Sequence, residues 1–159
     1  GVHSILGETS IAGEFLTGTQ PGEKGKSKSP NNSAVGTTDT YIRNFYGAYA
    51  CLVQDFGPVP LSAVVKYDWY DPNTDVKGDN IGKAVSSADG FKSFNTSDLR
   101  YDTWGFGLSY RWDPQVKFTA YYDMVTNETS KNIADLSGKP SYMNDLNDNV
   151  FTLRLQVKF

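Results

Sequence analysis

The chain has 159 residues, 38% hydrophobic and 14% aromatic, with 15 Gly, 10 Tyr, 9 Phe and 3 Trp, a profile rich in strand formers. Its 15 basic and 18 acidic residues are well mixed and leave a net charge of -3, so nucleic acid, which requires a basic patch, is not an expected partner. Cys51 and His3 stand alone in their residue types, which excludes a disulfide framework, a zinc site and a histidine-activated nucleophile within the chain.

No run of about 18 apolar residues exists, so no transmembrane helix is expected. No charged start followed by an apolar stretch marks a signal peptide, and an exported protein would have lost its leader. The mean hydropathy of -0.47 decides nothing, because only alternate residues of a barrel strand face lipid.

Taken in order, the segments alternate with period two. Glu8 to Thr19 sets Ile11, Gly13, Phe15 and Thr17 against Ser10, Ala12, Glu14 and Leu16. Residues 20 to 40, rich in Gly, Lys, Ser, Pro and Asn, carry no strand pattern. Ile42 to Val53 places Ile42, Tyr46, Ala48, Ala50 and Leu52 on one face, with Asn44 interrupting the row. Arg43, Phe45, Gly47, Tyr49 and Cys51 take the other, and Cys51 reads as a small packing residue. After a compact Gly/Pro turn at 54 to 60, Leu61 to Tyr70 opposes Leu61, Ala63, Val65, Tyr67 and Trp69 to Ser62, Val64, Lys66, Asp68 and Tyr70.

Residues 71 to 100 form a second long polar connection. Its start, Asp71-Pro72-Asn73-Thr74-Asp75, has Asp, Asn and Asp at alternate positions but departs from a calcium loop. Val76 stands where the sharp-turn Gly belongs and no Glu occupies the twelfth position, so a solvated turn is expected.

Thr103 to Trp112 alternates Trp104, Phe106, Leu108, Tyr110 and Trp112 with Thr103, Gly105, Gly107, Ser109 and Arg111, all the small residues sharing one face. A tight turn at 113 to 115 leads into Val116 to Thr126, where Val116, Phe118, Ala120, Tyr122 and Met124 oppose Lys117, Thr119, Tyr121 and Asp123. A third long connection, 128 to 147, precedes Val150 to Phe159. There Phe151, Leu153, Leu155, Val157 and Phe159 face away from Thr152, Arg154, Gln156 and Lys158.

Short and long connections alternate without exception, as in outer-membrane barrels with short periplasmic turns and long extracellular loops. A descending last strand puts 128–147, 71–100 and 20–40 outside and 113–115 and 54–60 inside. About 10 residues at roughly 3.4 Å each, tilted near 45°, rise about 24 Å, close to the apolar band of such barrels. Trp112, Tyr67, Trp69 and Phe159 fall where aromatic girdles lie. The expected fold is therefore all-β: about six antiparallel strands of a transmembrane barrel. Six strands cannot close in lipid, so the chain is expected to be the C-terminal part of a larger barrel of roughly 16–18 strands and on the order of 420 to 470 residues, beginning at a periplasmic turn.

The end, Asp148 to Phe159, resembles the C-terminal strand of bacterial outer-membrane proteins. The resemblance implies that Phe151, Leu153, Leu155, Val157 and Phe159 are the signal read by the barrel assembly machinery. Val64 to Thr74, with Tyr110-Arg111-Trp112-Asp113 and Tyr121-Tyr122-Asp123, resembles Bacteroidota-type porins of the phosphate-selective porin O and P family. That likeness implies an outer-membrane location, lipid around the barrel, passive diffusion of small hydrophilic solutes including anions, and a trimer or larger complex. It implies neither a catalytic site nor a cofactor or metal.

The expected pore-lining residues are Arg43, Lys66, Asp68, Arg111, Lys117, Asp123, Arg154 and Lys158. With Glu14 they make a basic excess on the polar face, also readable as ordinary solvated wall charge, paired within the wall as Lys66 would be with Asp68. Two other functions fit the pattern: a TonB-dependent transporter barrel, whose plug would lie upstream, and a soluble β-sandwich binding module with its aromatic faces packed together.

Overall fold

A computed structural model describes residues 7–23, 40–83, 94, 96–134 and 141–159. Six strands follow in chain order: β1 (Glu8–Glu23), β2 (Thr40–Asp55), β3 (Leu61–Asp71), β4 (Tyr101–Arg111), β5 (Val116–Asn127) and β6 (Val150–Val157). Each pairs antiparallel with its sequence neighbours to give one meander sheet in the order β1 to β6. The sheet is open, with β1 and β6 as its edges.

The alternation read from the sequence is kept in the register. Ile11 stands opposite Leu52, Leu52 opposite Val65, Val65 opposite Phe106, Phe106 opposite Tyr122 and Tyr122 opposite Phe151, so one apolar row crosses all six strands. Because side chains alternate with period two, a slip of one residue at any pairing would break this row. β1 and β2 are each 16 residues long, against 11 for β3 and β4. They therefore run past the expected Glu8–Thr19 and Ile42–Val53 at the end of the long connections.

The short turns are built by specific bonds. In the β2–β3 turn Phe56 N–H donates to Leu61 O at 3.0 Å and Val59 N–H to Phe56 O at 2.8 Å. In the β4–β5 turn one oxygen of Asp113 accepts from the amides of Gln115 (2.7 Å) and Val116 (2.8 Å), an Asx-type closure. Meander topology puts these turns at one end of the sheet and the three long connections at the other.

The long connections differ from expectation. Residues 24–39 of the first lie outside the described residues. The described parts of the other two, expected as structureless, fold against one another. Among the described residues the buried apolar side chains are Val76, Ile81 and Leu99, with Phe94, Tyr101, Ile133 and Tyr142 packed around them. Among the described residues the buried core thus sits in the second and third long connections, while Ile11, Phe106, Leu108 and Leu153 on the sheet stay exposed. Scattered singly in polar segments, Val76, Ile81 and Leu99 have no period that marks them in advance.

Glu128 joins the two connections. Its carboxylate accepts the Gly78 amide at 2.7 Å through one oxygen and the Arg100 amide at 3.2 Å through the other. Ser130, also buried, donates its hydroxyl to Ile81 O at 2.6 Å, while its amide reaches Tyr142 O at 2.8 Å. Gly82 has φ of +77° and leaves no room for a Cβ, which would meet Ile133 at 2.7 Å.

Candidate functional site: the polar wall of the sheet

The face opposite the apolar row carries the expected pore-lining residues. From the long-connection end, one cross-strand row reads Glu14, Tyr49, Asp68, Thr103, Val125. The next reads Ala12, Cys51, Lys66, Gly105, Asp123, Val150. Then come Ser10, Val53, Val64, Gly107, Tyr121, Thr152, and below them Glu8, Asp55, Ser62, Ser109, Thr119, Arg154. Arg111, Lys117 and Gln156 close the series at the short-turn end. Lys158 lies just beyond β6, its amide donating to Gln115 O at 2.9 Å.

Lys66 and Asp68 form the ion pair considered from sequence, Nζ to Oδ2 at 2.9 Å, and the ammonium lies 5.7 Å from the Tyr49 ring centre. Asp123 shares the Lys66 row across Gly105. Arg111 stands directly opposite Lys117, and Arg154 opposite Thr119.

Arg43 is placed differently from the other wall cations. It lies opposite Gln20 but is only 1% exposed, its Nη1 held by Asp98 Oδ1 at 3.1 Å. The same Asp98 oxygen accepts the Asn73 amide side chain at 2.9 Å. A buried pair of this kind anchors the β3–β4 connection to β2 and offers no charge to solvent. The Asp71–Asp75 turn, expected to be solvated, is largely buried with it: Asp71 and Asn73 are covered, and Asn73 N–H donates to Asp71 Oδ1 at 3.0 Å. The reason is the folding of this connection over the end of β2, where Thr74 N–H reaches Asn44 O at 2.9 Å. Asn44, which interrupts its apolar row, donates its side chain to Asp75 at 3.2 Å.

Glycines on this face are matched by aromatic rings on the next strand. Gly18 stands opposite Phe45, Gly47 opposite Tyr70 and Gly107 opposite Tyr121. A Cβ on Gly18 or Gly47 would come within 3.1 Å of the facing ring, and one on Gly107 within 2.5 Å of Tyr121 and 2.6 Å of Val64. Each ring covers backbone that a strand glycine leaves bare.

Phe151, Leu153, Leu155 and Val157 all lie on the apolar face and are exposed, as is the terminal Phe159. Away from the sheet, the carboxyl of Asp79 is held below its ordinary range by the Lys131 backbone amide, with the Lys131 ammonium 3.3 Å away. Among the described residues no group of three or more His, Cys, Asp or Glu could hold a metal ion. Sequence reasoning missed Asp98, Glu128 and Ser130, whose side chains reach Arg43, Gly78 with Arg100, and Ile81 respectively, 28 to 55 positions away with no local signal. Comparison with protein-family models, curated proteins and solved structures finds no match to this chain.

Proposed function

We propose that this chain is part of the wall of a bacterial outer-membrane β-barrel that acts as a porin, passing small hydrophilic solutes, anions among them, by passive diffusion. The observation that carries the reading is the unbroken apolar row across six strands, exposed along its length, opposite a face of mixed charge. A water-soluble protein seldom exposes so continuous an apolar surface, whereas a barrel strand presents one face to lipid and the other to water.

In lipid the edges of β1 and β6 would leave backbone groups without partners. The proposal therefore includes further strands joining those edges, to roughly 16–18 in all. The C-terminal strand would be read by the barrel assembly machinery, and the long connections would lie outside the cell. A family relationship to the phosphate-selective porins O and P is part of this proposal, as are lipid contact and a trimer. A soluble sandwich would need a second layer over Ile11, Phe106 and Leu153; a TonB-dependent transporter would need a plug.

The test is the intact mass and detergent dependence of the native protein carrying this C-terminus. A heat-modifiable, detergent-extracted species several times larger than 17.6 kDa is expected. A stable, detergent-free monomer of 17.6 kDa would contradict the barrel.

A further inference from the structure

Arg111 and Lys117 face each other directly across β4 and β5, and neither takes part in an ion pair among the described residues. Like charges placed opposite one another destabilise a sheet unless something between them answers the charge. They border a hollow of about 360 Å³ that also meets Ser62, Ser109, Val53 and Val64. Asp55 lies at its edge, its carboxylate taking the Ser62 hydroxyl. Two cations thus share one acid.

The upper side of the hollow differs from the rest of the wall. Val53 stands opposite Val64, and their row continues through Gly107 to the Tyr121 ring. Same-face rows are about 7 Å apart along a strand. A hydroxyl row, Ser62, Ser109 and Thr119, therefore separates an apolar row from the cation pair. Bare inorganic anions would answer the cations and leave the valines wet.

We propose that this hollow takes an organic anion with an apolar body, an aromatic or short aliphatic carboxylate. The carboxylate lies at the hydroxyl row, within reach of the long Arg111 and Lys117 side chains, and the body lies against Val53 and Val64. This deepens the porin reading and rests on it.

The experiment uses the full-length native protein in detergent, with benzoate and inorganic phosphate as probes, read by ligand-detected NMR. Benzoate is expected to bind about tenfold more tightly than phosphate, and R111Q/K117Q to weaken it about tenfold. The near-isosteric Val64→Thr is expected to weaken benzoate and leave phosphate unmoved, which tests the apolar half if the double variant fails to fold. Equal binding of the two probes, no binding of benzoate, or indifference to Val64→Thr would overturn the site. Planar-bilayer conductance of the same preparation separates the two readings: conductance without benzoate binding sinks the site alone, and benzoate binding without conductance sinks the porin.

Discussion

Tyr121 on β5 lies across Gly107 on β4 so closely that a Cβ on the glycine would come within 2.5 Å of the ring. Ring and bare backbone form one unit, and Gly105 and Gly107, which share a face on β4, have no room for a side chain because Tyr121 occupies their space. Gly107→Ala is expected to cost about 1–3 kcal/mol, since both Tyr121 and Val64 must shift. In a Tyr121→Ala background the cost should fall by at least half. Chemical unfolding of the four proteins in lipid vesicles measures the coupling; strict additivity would show that the pair is not a unit.

The two ion pairs of Arg43 and Lys66 should respond unequally. Arg43→Ala leaves Asp98 buried without its cation and is expected to cost about 3–5 kcal/mol. Lys66→Ala, from a pair more than a third exposed on both sides, is expected to cost under about 1 kcal/mol. Protease cleavage within the β3–β4 connection should rise for the first variant only. Equal losses would contradict the anchoring role of Arg43.

Leu99 is fully buried in the small core of the connections. Leu99→Ala should therefore loosen that core by about 2–5 kcal/mol while leaving the sheet intact. Amide exchange resolves the two: faster exchange at Ser130 and Gly82, whose amides bond to Tyr142 and Phe94, with β4 and β5 unchanged. A uniform loss across the sheet would show that the connections and the strands unfold together.

Much of the fold is legible in the sequence because period two is a strong signal. Trp104 to Tyr110 and Phe151 to Val157 mark their strands and faces directly, and the register preserves them. The strand ends are not legible, since β1 and β2 extend through Gln20 and Asp55 into segments whose composition reads as turn. The folded connections are not legible either. Asp98 meets Arg43 across 55 positions, and Ile81 meets Ser130 across 49. Of the wall residues, the face of each is readable; the burial of Arg43 is not, because it depends on where the β3–β4 connection folds.

Asp79 gives the connections a pH dependence. Its folded carboxyl titrates below its unfolded value, so its contribution is present above the ordinary carboxylate value of about 3.9 and is lost as pH falls through the folded value. NMR titration should place its midpoint below the ordinary range, with the Lys131 amide moving along the same curve. A midpoint at or above that range would contradict the bond.

One face of this sheet is expected to meet lipid and the other water, and site-directed spin labelling reads both at once. With Cys51 replaced by Ser, single cysteines at Leu108, Ala120 and Leu153, and at Ser109, Thr119 and Arg154, can carry spin labels in the native protein in vesicles. The first three are predicted to collide with a lipid-soluble relaxation agent and the second three with a water-soluble one. Labels at Leu108, Ala120 and Leu153 that meet neither agent, in a protein that stays dispersed without detergent, would contradict it.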